Sequence, residues 1–384
     1  MKKRRVLAFS SLILLVMLGP ASCGGGGSSS SSTSPAYTEP QPPPVVPPVV
    51  PPVEPPVEPP ANCGCFINRC LDLNALQVAK YMGNKQAAAS YTFDDGLESS
   101  SKIASIFERR GLHATFYIVA GAVENTTGWE FWRQLAEKGH EIGNHSMTHT
   151  VDMSDLSLSD QTLDIEINGA QNLIEQKLGI RPLSFAFPWH EHTDHAIDVA
   201  MQNHLSVRMV NLDDISYRFV FLDQEHTLTL DEALSNANNV LSEVVSLGGW
   251  MVAGGHGVDG DGWSPVTSAF LQEHLNHADT YSSRLWIDTY LNVARYRLCR
   301  PQVMPTITSV SSSQAIVHLG GEFNAVVCTD PLTVAIPIKE PLGGQLRART
   351  PSGIDVPVKI IDGHLLLNLV PGSDVILEVT QTTN

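Results

Sequence analysis

The chain has 384 residues, 42% of them hydrophobic, so it is long enough to bury a large core and to form more than one domain. It carries 40 acidic against 24 basic residues, which gives a formal net charge of −16 at pH 7. This acidity argues against nucleic acid as a partner, because phosphate binding needs clustered lysine and arginine.

The N-terminal segment has the pattern of an export signal. Four basic residues, Lys2 to Arg5, precede an apolar run from Val6 to Leu18 that is too short to span a membrane as a mature helix. Small residues then precede Cys23, and this arrangement resembles a bacterial lipoprotein signal in which Cys23 is lipidated. The sequence therefore predicts a signal peptide over 1–23 and an exported, membrane-anchored protein of the periplasm or cell envelope. Ordinary secretion with cleavage nearby is the alternative.

Residues 24–77 are predicted to form a tether that ends in a cysteine cluster. A Gly/Ser tract is followed by Pro-Pro-Val repeats, which favour an extended polyproline II spacer between a membrane and a catalytic domain. Cys63, Cys65 and Cys70 come next. Export favours disulfides over a thiolate metal site, and a bridge from this cluster to Cys299 is one of the pairings open to it.

Between residues 78 and 300, short apolar runs alternate with amphipathic stretches. The apolar runs predict strands at 88–93, 114–119, 141–144, 184–188, 207–210, 250–253 and 285–287. The amphipathic stretches predict helices at 99–110, 130–139, 160–178, 195–203, 231–246 and 267–278. This alternation is typical of parallel strands joined by right-handed crossovers. Seven strands favour an α/β barrel, a (β/α)7 fold, with its active site at the carboxyl ends of the strands.

Residues 304–384 follow a different pattern. Short alternating apolar runs are separated by glycine-containing turns, which predicts a small all-β domain. Packing against the barrel and sugar binding are both open as its role.

Two short motifs carry the chemistry. Thr92–Gly96, with the sequence TFDDG, ends a strand in two carboxylates, and His145–His149, with the sequence HSMTH, follows another strand. One turn of helix would place His145 and His149 on the same side. A carboxylate with two histidines is a common ligand set for zinc and neighbouring first-row metals. The second carboxylate is then free for proton transfer.

These motifs resemble those of the polysaccharide deacetylases, the NodB-like enzymes of carbohydrate esterase family 4. Both family motifs, T-F-D-D-G and H-S-x-T-H, stand unaltered here and in the same order. The resemblance implies a distorted (β/α)7 barrel that removes acetyl groups from an acetylated polysaccharide. It implies that Asp94 is the general base. It also implies that Asp95, His145 and His149 bind a divalent cation, Zn²⁺ in the first place, with Co²⁺ or Ni²⁺ as alternatives.

The resemblance extends to the segment after the fourth predicted strand. The sequence FAFPW, which ends at Trp189, is close to the F-A-Y-P-F-G variant of the family's third motif. By this resemblance, Pro188 and Trp189 belong to the substrate and oxyanion region, and the backbone N–H of Trp189 donates to the oxyanion. His190 stands where the variant has glycine, and it opens a loop rich in histidine and acidic residues that could hold a further metal.

The resemblance weakens toward the later strands. His256 matches the histidine that protonates the leaving group, although Gly254 replaces the usual leucine two residues earlier. No stretch matches clearly the fourth motif, which supplies an aspartate that tunes this histidine. Arg208, assigned to the oxyanion and substrate region, and the pair Asp213 and Asp214 are the candidates that follow the fifth strand.

Two other functions stay open on the sequence. A related metal amidohydrolase that acts on a small cyclic amide or imide would use the same barrel and ligands. A non-catalytic glycan-binding module would recognise sugars through aromatic residues and the β domain. For Trp263, stacking on a sugar ring and simple packing are both open. The intact Asp94 argues against the binding module, because a binder has no use for a base. The tether argues for a polymeric substrate.

Overall fold

The computed structural model of this chain describes residues 67–210, 217–222, 229–342 and 344–380. The first elements are α1 (Ile67–Cys70) and β1 (Gln77–Val78). A parallel sheet follows, whose strands in the described residues are β2 (Ala87–Phe93), β3 (Thr115–Ile118), β4 (Glu141–Asn144), β5 (Ser184–Phe185), β6 (Ser206–Val207), β7 (Tyr217–Phe221), β8 (Trp250–Gly255) and β9 (Leu285–Ile287).

The order across this sheet is β6-β5-β4-β3-β2-β8-β7, and β9 pairs with the amino half of β2. All seven residues of β2 are buried, as expected for a central strand of a parallel sheet that is covered on both faces. The sheet curls, and β6 and β7 are its edges among the described residues. The predicted fold class, an α/β barrel of the NodB type with an all-β C-terminal domain, is confirmed. The structure adds β7, which the sequence did not predict.

The helices that follow the strands are α2 (Ser100–Glu108), α3 (Trp129–Glu137), α4 (Asp160–Asp164), α5 (Ala170–Leu178), α6 (Asp194–Met201), α7 (Leu230–Leu247), α8 (Ser268–Asp279) and α9 (Tyr290–Cys299). The long α7 begins with a capping box, in which Thr229 and Glu232 satisfy each other's backbone N–H groups. A π-helical turn, Ile165–Gly169, joins α4 to α5, where the pattern predicts one regular helix. None of the helices in the described ranges combines the length and apolarity that a membrane span requires.

The C-terminal domain consists of two antiparallel sheets around one core. Its own strands are β10 (Met304–Val310), β11 (Gln314–Gly320), β12 (Leu332–Pro337), β13 (Gln345–Arg349), β14 (Asp355–Val356), β15 (Val358–Ile361), β16 (His364–Leu369) and β17 (Asp374–Thr380). One sheet has the order β10-β11-β17-β13-β14, and the other has the order β1-β12-β16-β15. Buried side chains from both sheets, such as Val317 and Val334, form the shared core.

The segment before the barrel belongs to this β domain. Gln77 and Val78 pair with β12, and the backbone N–H of Ile67 donates to the carbonyl of Ser312. The structure therefore differs from the predicted boundary at residue 77, because apolar residues from Ile67 onward complete the core of the β domain. The predicted signal peptide, Cys23 and the rest of the tether lie outside the described residues.

The disulfide pattern differs from the pairing suggested by the sequence. Cys299, at the end of α9, is bonded to Cys328 in the β domain, so a bridge from the N-terminal cluster to Cys299 is wrong. The physical reason is proximity, since the two Cα atoms are 5.1 Å apart in the core that the barrel's last helix shares with the β domain. Cys63 and Cys65 lie outside the described residues.

Candidate active site

Asp95, His145 and His149 lie together at the carboxyl ends of β2 and β4. Oδ1 of Asp95 is 3.7 Å from Nε2 of His145 and 3.5 Å from Nε2 of His149. Each of the three side chains offers one possible ligand atom, and these atoms all lie within 4.8 Å of one another. Among the described residues, this is the group of three or more side chains that could hold a metal ion. Ligands at about 2 Å in a tetrahedral site are about 3.3 Å apart, so one cation can reach all three with little movement.

His145 presents a neutral nitrogen to this group. Its Nδ1 is 2.8 Å from the carbonyl oxygen of Ala186, and because a carbonyl only accepts, Nδ1 carries the proton. Burial lowers the pKa of His145, although Asp94 and Asp95 act in the opposite direction. A neutral histidine that is oriented through its other ring nitrogen is the usual form of a histidine ligand. The residues present therefore fit a divalent cation.

Residues 145–149 form an irregular turn, so the predicted turn of helix is wrong. Ser146 and His149 have positive φ angles of 71° and 57°. The backbone N–H of Ser146 donates to Oδ1 of Asn144, and that of His149 donates to Oγ of Ser146, each at 3.0 Å. These bonds replace the helical ladder and still bring the rings of His145 and His149 within 4.9 Å of each other.

Glu166 holds the same turn from the other side. Its side chain is almost completely buried and accepts hydrogen bonds from the backbone N–H of Thr148 at 3.0 Å and from Oγ1 of Thr148 at 2.8 Å. Its carbonyl accepts from the N–H of Met147 at 2.9 Å. Glu166 lies in the π-helical turn between α4 and α5, and such turns are frequent at functional sites. Sequence reasoning missed this residue, because a helical pattern does not reveal a π turn.

Asp94 forms a buried ion pair with Arg208. The guanidinium donates to both carboxylate oxygens, with Nη1 2.7 Å from Oδ1 and Nη2 2.5 Å from Oδ2. Nη1 also donates to Oγ1 of Thr92 at 2.8 Å. Burial by itself would raise the pKa of Asp94, but Arg208 and His145 bring it well below its ordinary value. Asp94 is therefore ionised throughout the neutral range.

This placement bears on the role of Arg208. Its side chain is fully buried and packs between the rings of Tyr117 and Phe219, with the guanidinium carbon 4.9 and 5.6 Å from their centres. These contacts support a positioning role at Asp94, and the assignment of Arg208 to the oxyanion and substrate region stays a prediction. Arg208 positions the carboxylate and holds it charged. Asp213 and Asp214 lie outside the described residues.

Pro188 and Trp189 lie in a short 3-10 turn after β5. Pro188 is buried and has no N–H, so the N–H of Trp189 is the first in the turn, where the backbone leaves N–H groups without helical partners. Trp189 has a positive φ of 52°, an uncommon conformation for a bulky residue. The residue is 53% exposed, and its ring centre lies 4.7 Å from that of His149. The structure thus brings Trp189 to the Asp-His-His group.

His256 directly follows β8, which pairs with β2 on the side opposite to β3. It is close enough for its charge to contribute to the lowered pKa of Asp94. The nearby departure from the family pattern, Gly254, has a structural reason. A Cβ atom at Gly254 would lie 2.5 Å from the ring of Phe219 in β7, so this aromatic side chain occupies the space of the usual leucine. Because β7 was not predicted, the sequence could not show this exchange.

His190 is a further residue at the site. Its ring packs against Phe219 and Phe221, with ring centres 5.6 and 5.1 Å away. Burial, helped by the charge of Arg208, lowers the pKa of His190 to about 4, so its imidazole is neutral at pH 7. Of the other histidines in this loop, His192 packs against Phe187 and His195 pairs with Asp160 at the start of α4. No second group of metal ligands occurs among the described residues, which include this loop.

The curled parallel sheet with the Asp-His-His group at its carboxyl edge has the NodB-type fold that the resemblance implied. Residues 82–207 match the model of the polysaccharide deacetylase family. This match covers about a third of the chain. The match includes both motifs and Trp189, whereas Arg208 and His256 lie beyond it.

Three similar proteins illustrate the comparison. A gellan lyase of a Bacillus species is 24% identical over an alignment of 324 residues that covers 77% of this chain and 13% of that protein. The peptidoglycan-N-acetylglucosamine deacetylase of Bacillus cereus is 22% identical over 140 residues, 36% of this chain and 49% of that protein. A solved family 4 pseudoenzyme from Bacillus anthracis is 17% identical with a TM-score of 0.40, covering 55% of this chain and 66% of its own. The chain thus spans less than half the length of both curated relatives.

Proposed function

We propose that this protein is a metal-dependent hydrolase that removes acetyl groups from an N- or O-acetylated polysaccharide. The observation that carries the proposal is the division of labour between two adjacent carboxylates. Asp94 is bound by Arg208 in a buried ion pair, while Asp95 faces two histidines. One site therefore holds a base that stays charged and a separate set of cation ligands.

Asp95, His145 and His149 would hold the cation through one carboxylate oxygen and two imidazole nitrogens. A nitrogen and oxygen set of this kind suits Zn²⁺, and also Co²⁺ or Ni²⁺. When bound, such a cation acts as a Lewis acid that polarises the acetyl carbonyl and lowers the pKa of water. The hydrogen bonds to His145 and to the 145–149 turn orient the ligands before any cation arrives.

The remaining chemistry belongs to side chains of the chain itself. Oδ2 of Asp94 lies 3.9 Å from Nε2 of His145, so the base faces the ligand group and can take a proton from an attacking water. The N–H of Trp189 is the donor proposed for the oxyanion. His256, on the opposite flank, is the group proposed to protonate the departing amine or hydroxyl.

The proposal includes export. A lipid on Cys23 would anchor the chain in the cell envelope, and the proline-rich tether would let the deacetylase domain reach a polymer. Metabolic labelling with a radioactive fatty acid tests this. A labelled wild type and an unlabelled Cys23→Ser variant would support the anchor, and an unlabelled wild type would contradict it.

Acetate release tests the catalytic proposal. The panel contains N-acetylated chito-oligosaccharides, peptidoglycan and acetylated xylan, incubated with chelator and then with added Zn²⁺. We expect release that depends on Zn²⁺ and that falls by at least a hundredfold in Asp94→Asn, because a positioned base contributes about 10²–10⁴-fold. Asp279→Asn, at the exposed end of α8, is the matched control.

Two results would contradict this proposal. Full metal content and activity in Asp95→Ala would show that the ligand assignment is wrong. Stoichiometric metal binding without release from any polymer would shift the interpretation toward hydrolysis of a small amide or toward a glycan-binding module.

A further inference from the structure

Trp263 is a large apolar side chain that the fold leaves half exposed beside the site. It lies in the loop that follows β8, the residue is 53% exposed, and its ring centre is 5.2 Å from that of His256. An indole that is exposed to water is less favourable than a buried one. Covering it with another apolar surface would therefore be favourable. The catalytic roles proposed for Asp94, Trp189 and His256 do not involve this side chain.

The loop that carries Trp263, residues 257–266, is firmly held at its base. Asp259 accepts hydrogen bonds from Nζ of Lys102 at 2.6 Å and from the backbone N–H of Ser268 at 2.7 Å. The hydrogen bond from Lys102 is the main reason why the pKa of Asp259 is lowered to about 2. Val258 and Val266 form a bridge and are both buried. These contacts explain the Asp-Gly-Asp-Gly sequence as structural.

The tip of the loop is fixed as well. Oδ2 of Asp261 accepts from the backbone N–H of Ser99 at 2.8 Å. Gly262 has a φ of 83°, in the left-handed region that favours glycine, and a Cβ atom there would displace the side chain of Leu97. Ser264 also has a positive φ, 44°. A positive φ is uncommon for a residue with a Cβ atom, and such a conformation persists only where the surrounding structure holds it.

A second exposed indole stands on the opposite flank. Trp189 is also 53% exposed and contacts His149, which follows β4, whereas Trp263 contacts His256, which follows β8. β4 and β8 lie on opposite sides of β2, the strand that ends in the two aspartates. The two aspartates therefore lie on a strand between the two strands that precede the histidines in contact with these indoles.

We propose that Trp263 is a stacking platform for a pyranose ring of the polymer, next to the sugar that loses its acetyl group. This inference rests on the proposed function. The apolar face of a pyranose covers an indole well, and a rigid aromatic side chain gives contact area with little loss of conformational entropy. Because the loop is held in place before binding, little ordering accompanies it. The site should then prefer an oligosaccharide over an isolated acetylated sugar.

Comparing substrates of different length tests the platform. The full chain, Trp263→Ala and Trp263→Phe are assayed with Zn²⁺ on hexa-N-acetylchitohexaose, acetylated xylohexaose and 4-nitrophenyl acetate. We expect the ratio of kcat/KM for the hexasaccharide to that for the small ester to fall about tenfold or more in Trp263→Ala, and Trp263→Phe to restore part of it. Leu247→Ala is the control, since this exposed residue ends α7 at the amino side of the sheet.

A parallel loss on the hexasaccharide and on the small ester would overturn the proposal, because Trp263 would then act only through His256. Binding of the same hexasaccharides to Asp94→Asn, with and without Trp263→Ala, separates this inference from the proposed function. If Trp263→Ala weakens binding tenfold while the wild type releases no acetate, the deacetylase proposal fails and the platform stands. If no hexasaccharide binds, or if binding is unaffected by Trp263→Ala, the platform is refuted.

Discussion

Replacing Arg208 with methionine would leave the carboxylate of Asp94 buried without its partner. Methionine has a comparable length and no charge, so the substitution removes the hydrogen bonds to Asp94 and to Thr92 and leaves most of the packing against Tyr117 in place. The native pair has both charges satisfied at 2.5 and 2.7 Å. The variant has one charge with no compensation in the interior.

The burial of the pair sets the size of the effect. The side chains of Arg208 and Asp94 are 0% and 6% exposed, so water and salt screen them very little. Breaking a buried pair by removing one partner costs about 3–5 kcal/mol, whereas an exposed pair contributes about 0–1 kcal/mol. The pair of Lys177 and Glu124, which are 41% and 67% exposed, is the internal reference for the second case.

Urea unfolding of Arg208→Met, Asp94→Asn and the double variant measures the coupling. We expect each single variant to lose about 3–5 kcal/mol of unfolding free energy and the double variant to lose at least about 2 kcal/mol less than the sum. Lys177→Met should lose no more than about 1 kcal/mol. A loss below 1 kcal/mol in Arg208→Met, or strictly additive single effects, would refute the idea of a desolvated, mutually dependent pair.

Two further substitutions test the buried network around the site and the sheet. Glu166→Gln should weaken Zn²⁺ binding about ten- to a hundredfold, because it removes one of the oxygens that orient the 145–149 turn. Competition with a chromogenic chelator measures the Zn²⁺ affinity, and an unchanged affinity would contradict this prediction. His274 is buried between Tyr91 and Asn238, and burial lowers its pKa to about 3, below the usual 6.5. As the pH falls, the unfolded chain therefore binds the proton before the folded chain does. The contribution of His274 to stability is complete above pH 6.5 and is lost as the pH falls toward 3, by about 1.4 kcal/mol per pH unit. His274→Gln should remove that slope from the acid side of the stability curve, and an identical slope would show that His274 is not held neutral.

Local features of the chain predicted the outline of the site. Asp94 and Asp95 end an apolar run, and His145 begins a segment directly after another one, so each could be placed at a strand end. Parallel strands put their carboxyl ends at one edge, and the structure brings these residues together there. The conformation of the 145–149 turn was not predictable in this way, because it depends on hydrogen bonds from Asn144 and from the distant Glu166.

The residues that surround the ligands were decided by the tertiary structure. Arg208 is 114 positions from Asp94 in the chain, and the edge strand that carries Phe219 gave too weak a pattern to be predicted. A pattern of apolar residues indicates which face of an element is buried, but it carries no information about which side chain lies opposite. By itself the sequence determined the strand ends, the two motifs and the two-domain organisation. Only the curled sheet, which brings distant strands into contact, decided three further features. These are the partner of the base, the ring that fills the space beside Gly254 and the placement of Trp263 against His256.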